Sequence, residues 1–182
     1  MSSLELALAS ELVASDWLNT PEPITLEQLR GQVVVIHAFQ MLCPGCVSHG
    51  IPQVKLLHEY YANQPVSVLG LHSVFEHHDA MQKHALQAFA HEYRLSFPIA
   101  IDQASDSGPI PETMQRYNLR GTPSLIVIDQ KGKLRLNHFG HIDNLAVGNL
   151  IGSLLAVNSL DPSDEKKHAS VSPHCDEEGC VV

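Results

Sequence analysis

The sequence predicts an α/β domain in which a central sheet of mixed strand direction is covered by helices on both faces. Three observations lead there. Two continuous apolar runs rich in β-branched residues, Val33 to Gln40 and Val66 to His72, read as buried strands. Each is followed by a stretch whose apolar residues recur with helical spacing. A later pair of apolar runs is joined by Lys131-Gly132, which reads as a hairpin turn.

Taken in order, Leu4, Leu8 and Leu12 recur every four residues and predict an N-terminal amphipathic helix over 1–15. Thr20 to Gly31 is turn-rich and leads into the first strand. From Pro44 to about Asn63 the residues Val47, Ile51, Val54, Leu57 and Tyr61 predict a helix, with Gly50 and Pro52 as causes of a kink. The second strand, 66–72, precedes a helix marked by Met81, Ala85, Phe89 and Tyr93, and Phe97 to Ile101 adds a short strand. After a loop rich in Ser, Gly and Pro come a short helix over 111–117 and a Gly121-Thr122-Pro123 turn. The hairpin then spans Ser124 to Asp129 and Lys133 to Phe139, and a last helix covers 143–157. Residues 1–158 read as one domain. From 159 to 182 few residues are apolar, and six acidic against two basic side chains place −4 of the formal −9 charge there. Such a composition reads as a flexible acidic tail.

A chain of 182 residues buries roughly two thirds of its unfolded surface when compact, so it needs no disulfide staple. The charge of −9 and the lack of a Lys/Arg-rich run argue against nucleic acid as a partner. No stretch approaches the ~20 apolar residues of a membrane span, and the first twenty residues lack the charged and apolar regions of a leader. The expectation is a cytoplasmic protein with no membrane partner. Four cysteines in two close pairs suit redox or metal chemistry better than a secreted disulfide framework.

Cys43-Pro44-Gly45-Cys46 stands between a buried strand and a helix. That placement puts the first cysteine at a helix N-terminus, where unpaired backbone N–H groups and the helix dipole favour thiolate. Cys43 is the expected nucleophile. Cys46, one helical turn on and less exposed, is the expected resolving thiol. A zinc site would need two further ligands at short spacing, and a strand-to-helix setting is wrong for a zinc knuckle.

With VVVIHAFQMLCPGC and Gly121-Thr122-Pro123-Ser124 in this order, the chain resembles the thioredoxin superfamily, and its layout from about Thr20 to Val157 is similar to TlpA-like and redoxin proteins. The resemblance implies a thioredoxin fold and thiol–disulfide oxidoreductase activity through a mixed disulfide, without a cofactor. It implies a cis peptide at Thr122-Pro123 beside the cysteines, with Pro44, Gly45, Thr122 and Pro123 meeting the substrate. The partners implied are a disulfide-containing protein or small molecule and a thiol electron donor. Three positions depart from the family pattern. Leu42 replaces the aromatic residue before the first cysteine. Pro-Gly between the cysteines offers no His or Lys to deepen thiolate stabilisation, which favours a reductase or isomerase with a potential of roughly −180 to −270 mV. His37 stands where thioredoxins carry a buried carboxylate that moves protons to the second cysteine; it either does that work or is a core histidine bonded to a neighbouring strand.

Twelve histidines exceed the eleven Lys plus Arg. His72 to Asp79 gathers potential metal ligands past a strand end, although Asp79 is equally suited to cap the next helix. His138 and His141 read as solvated or capping. In the tail, Cys175 and Cys180 are a candidate second redox pair, with a metal clip including His174 or no role as the alternatives. Two other function classes stand beside disulfide exchange. One is a peroxiredoxin-like peroxidase, although Gln40 occupies the position of its peroxide-polarising Thr. The other is a metal carrier on the same fold.

Overall fold

The computed structural model describes residues 7–158, 174–176 and 179–181. Six strands form one mixed sheet: β1 (Ala14–Leu18), β2 (Val33–Phe39), β3 (Val66–His72), β4 (Ile99–Asp102), β5 (Ser124–Ile128) and β6 (Leu134–Phe139). Their spatial order is β1-β4-β3-β2-β5-β6, with β2, β3 and β4 parallel and the remaining pairs antiparallel. All seven residues of β2 are buried, as its continuous apolar pattern requires of a central strand.

Both faces are covered. Val33, Val35 and Phe39 pack on one side with Val54 and Leu57 of α1 (Ile51–Tyr60), Leu86 and Ala90 of α2 (Lys83–Glu92), and Val147 and Ile151 of α4 (Asn144–Asn158). Val34, Ile36 and Ala38 pack on the other with Leu26 and with Met114 of α3 (Glu112–Arg116). Among the described residues no helix is long and apolar enough to cross a membrane. Backbone at His174–Asp176 (β7) and Gly179–Val181 (β8) forms a separate antiparallel ladder. Much of the predicted tail, 159–173, lies outside the described residues.

One local expectation is corrected. From residue 7 onward the predicted N-terminal helix is absent; Leu4 lies outside the described residues. The Ala9 amide donates to the Gly132 carbonyl and Leu134 donates to Ala7, while Val13 bonds Thr113 and Gln103. A three-leucine stripe cannot outweigh these tertiary partners, because helices shorter than about 12–15 residues are marginal on their own. The helix expected from Pro44 starts there, with the Val47 amide on the Cys43 carbonyl, and then passes through a π-helical turn, Cys46–Gly50, in which the Ile51 amide reaches back to the Cys46 carbonyl. Pro52 has no N–H to give the α-type bond one turn back, and the wider register absorbs that loss.

Candidate active site

The loop leaving β2 is tied down before it reaches the cysteines. Gln40 is buried, accepts from the Phe75 amide through Oε1 (3.2 Å) and donates through Nε2 to Glu76 (3.4 Å). Its carbonyl accepts the Cys43 amide at 3.2 Å, closing the turn that presents the thiol. Cys43 is half-buried and Cys46 fully buried, and both are free thiols. The Cys46 amide donates to Cys43 Sγ at 3.3 Å, a contact that supports negative charge on the sulfur. Cys43 Sγ in turn lies 3.4 Å from the Thr122 carbonyl oxygen.

Thr122-Pro123 is a cis peptide. Its loop is held by the Gly140 amide on the Pro123 carbonyl (2.8 Å) and by the Ser124 hydroxyl on the Gly121 carbonyl (2.7 Å). Gly45 faces the proline so closely that a Cβ there would lie 3.3 Å from Pro123 Cδ. Pro44 is exposed, while Gly45, Thr122 and Pro123 are half-buried around the thiol. The four substrate-contact positions expected from sequence therefore surround Cys43. Leu42 at 58 % exposure and Phe139 at 47 % add apolar surface, with the Arg120 guanidinium over the Phe139 ring.

Burial is the main force on the second thiol. It pushes Cys46 up to about 12, helped by the Cys43 side chain. His37 is buried in β2, stacked on Phe39 and bonded to the Ser124 backbone of the adjacent strand. Burial drives its imidazole down to about 4, against the pull of that bond. Its Nε2 has no partner. From sequence Gly50 is only a cause of a kink, but a Cβ at Gly50 would lie 2.3 Å from His37 Cε1 and 2.6 Å from Nε2. Gly50 is therefore the cradle that lets the π-helical turn pass over this ring.

The other histidines are dispersed. His72 is buried at the end of β3 with an unpartnered Nε2, and burial lowers it to about 4. His77, His78 and Asp79 are exposed, and Gln82, not Asp79, occupies the N-cap of α2. No cluster of three metal-ligating side chains occurs among the described residues. His141 is exposed and its ring faces that of His49 at 5.2 Å, a pairing that sequence separation concealed. Cys175 and Cys180 oppose each other in the β7–β8 ladder.

The Redoxin family model matches residues 9–146. A thioredoxin-like superfamily protein of known structure shares 51 % identity at a TM-score of 0.79, covering 81 % of this chain and 96 % of that one. A thiol-disulfide isomerase from Corynebacterium glutamicum shares 48 % identity at a TM-score of 0.79, covering 83 % and 97 %. The thiol-disulfide oxidoreductase ResA of Halalkalibacterium halodurans is 27 % identical over 119 residues, 65 % of this chain and 60 % of that protein. The chain spans less than two thirds of the length of the curated relatives it matches. With the family match running through the sheet, the cysteine turn and the cis-proline loop, the chain belongs to the redoxin family of the thioredoxin superfamily.

Proposed function

We propose that the protein is a thiol–disulfide oxidoreductase acting as a reductase or isomerase on disulfide-containing proteins or small molecules. The observation that carries this reading is the pairing of a half-exposed Cys43 sulfur, under the Cys46 amide, with a buried Cys46 behind it. Cys43 thiolate attacks one sulfur of the substrate disulfide and expels the other as a thiolate, which takes up a proton. Cys46, after losing its proton, attacks Cys43 Sγ, forms the Cys43–Cys46 disulfide and releases the second substrate sulfur as a thiol. An external thiol donor restores the dithiol. Thr122 and Pro123 border the sulfur and offer backbone to an extended substrate, with Pro44 and Gly45 opposite.

His37 enters as a neutral imidazole, since burial holds it at about 4. Its unpartnered Nε2 faces Gly50, four residues past Cys46 at the other end of the same turn, and we assign it the proton that Cys46 gives up. Gln40 stands where a peroxidase of this superfamily carries its Thr, and its side chain is spent on Phe75 and Glu76. That engagement favours disulfide exchange over peroxide reduction.

Trapping tests the assignment. Cys43→Ser should abolish reduction of a model disulfide, whereas Cys46→Ser should attack once and accumulate a mixed disulfide on Cys43. Equal trapping by both variants, or activity surviving in Cys43→Ser, would overturn it.

A further inference from the structure

The chain carries a second pair of cysteines that the reaction above leaves unused. In the β7–β8 ladder Cys175 stands directly opposite Cys180. Facing residues of an antiparallel pair have Cα atoms about 4.5–5.5 Å apart. Disulfides form across Cα separations of about 4.4–6.8 Å. The backbone register thus meets a requirement that sequence spacing alone leaves open.

We propose that Cys175 and Cys180 form a second dithiol–disulfide couple that passes electrons to the Cys43–Cys46 disulfide. The proposal rests on Cys43 and Cys46 being the exchanging pair. Reach permits the transfer: Cys175 lies 17 residues beyond Asn158, the end of α4, and a chain of that length spans up to about 60 Å. The domain it must cross has a radius of gyration of only about 15 Å. Tethering supplies an effective concentration in the millimolar range.

Charge sets the direction. Asp176, Glu177 and Glu178 separate the two C-terminal cysteines and disfavour their thiolates, while the Cys46 amide supports negative charge on Cys43. A couple whose reduced form is stabilised is the stronger oxidant, so the active-site pair accepts electrons and the C-terminal pair donates them. In the forward step one C-terminal thiolate attacks Cys43 Sγ, breaks the Cys43–Cys46 bond and releases Cys46, which is protonated. The second C-terminal thiol, on losing its proton, attacks the first and releases Cys43, which takes up a proton in turn. The active site gains two electrons and two protons, and a Cys175–Cys180 disulfide forms. An external dithiol then reduces that disulfide by the same exchange.

The test uses the full chain. Fully reduced protein is given less than one equivalent of a small disulfide, allowed to equilibrate, quenched in acid, alkylated and mapped by mass spectrometry without reduction. At least tenfold more Cys175–Cys180 than Cys43–Cys46 disulfide is expected, equivalent to about 30 mV for a two-electron couple. Equal amounts, or an excess at Cys43–Cys46, would overturn the direction and with it the proposal. In Cys46→Ser an intramolecular bridge from Cys43 to Cys175 or Cys180 is expected, in a yield independent of protein concentration. If Cys43 bridges only the external thiol, the relay fails and the exchange reaction stands; if Cys43 bridges nothing, the exchange reaction fails as well.

Discussion

The rim and the floor of the active site obey different physics. On the rim, Leu42, Cys43, Pro44, Thr122 and Pro123 are exposed or half-buried, and their arrangement depends on backbone contacts that hold two loops together. Beneath it, Cys46 and His37, together with His72 at the end of the neighbouring strand, are buried ionisable groups, each pushed by desolvation toward its neutral form. The rim can meet a substrate without much cost to the fold. The floor keeps charge out of the core, so changes of pH or volume there act on stability first and on chemistry second.

Lowering the pH should expose this difference most. His37 and His72 both fall from an ordinary value of 6.5 to about 4 in the folded protein. Between these values the unfolded chain binds more protons than the native state, so stability is full above about 6.5 and is lost as pH falls toward 4. Each ring contributes a slope of at most about 1.4 kcal/mol per pH unit. Asp102, held above the usual carboxylate range by burial, works in the opposite sense and offsets part of the loss at the acid end. Denaturant unfolding across this range should show the fall, with His37→Ala showing about half the slope. A flat profile between pH 7 and 5 would mean that the floor accommodates charged rings.

Volume is the next lever. Replacing glycine with alanine at a helical position ordinarily gains about 1 kcal/mol. At Gly50 the added Cβ would meet the His37 ring at 2.3 Å, far inside contact distance. Overpacking of this kind costs about 1–3 kcal/mol, so Gly50→Ala should destabilise the protein. In a His37→Ala background the obstacle is gone, and the same substitution should become neutral or stabilising. Additive effects in this double-mutant cycle would show that the two residues do not share the space.

The rim was legible in the sequence and the floor only in part. Cys43, Cys46 and Pro123 announce themselves through a dipeptide-spaced cysteine pair and a Gly-Thr-Pro turn, each beside an apolar strand. The strands β2 and β3 were equally plain because both faces are buried. The π-helical turn and the Gly50 cradle were not, because they depend on the space that the His37 ring of the preceding strand occupies. Nor was the path of residues 7–13, where Leu8 and Leu12 keep the helical period but the backbone finds partners in Gly132, Thr113 and Gln103.

The smallest expected effect separates rim from floor within the reaction itself. In the proposed reaction Cys43 attacks on the rim, and resolution by Cys46 requires a proton to leave the floor. His37 is the buried base assigned to that proton, but an imidazole held at about 4 is poorly matched to a thiol held at about 12. A well-matched general base contributes about 10²–10⁴-fold, so His37→Ala should slow resolution by only about tenfold, and should leave the first attack nearly unchanged. Single-turnover rates measured on the folded variant, from pH 6 to 9, distinguish the two steps. Relay through His37 predicts a resolution profile that changes shape in the variant. If His37 only packs against Phe39 and Gly50, the two profiles run parallel and the loss appears in unfolding experiments alone.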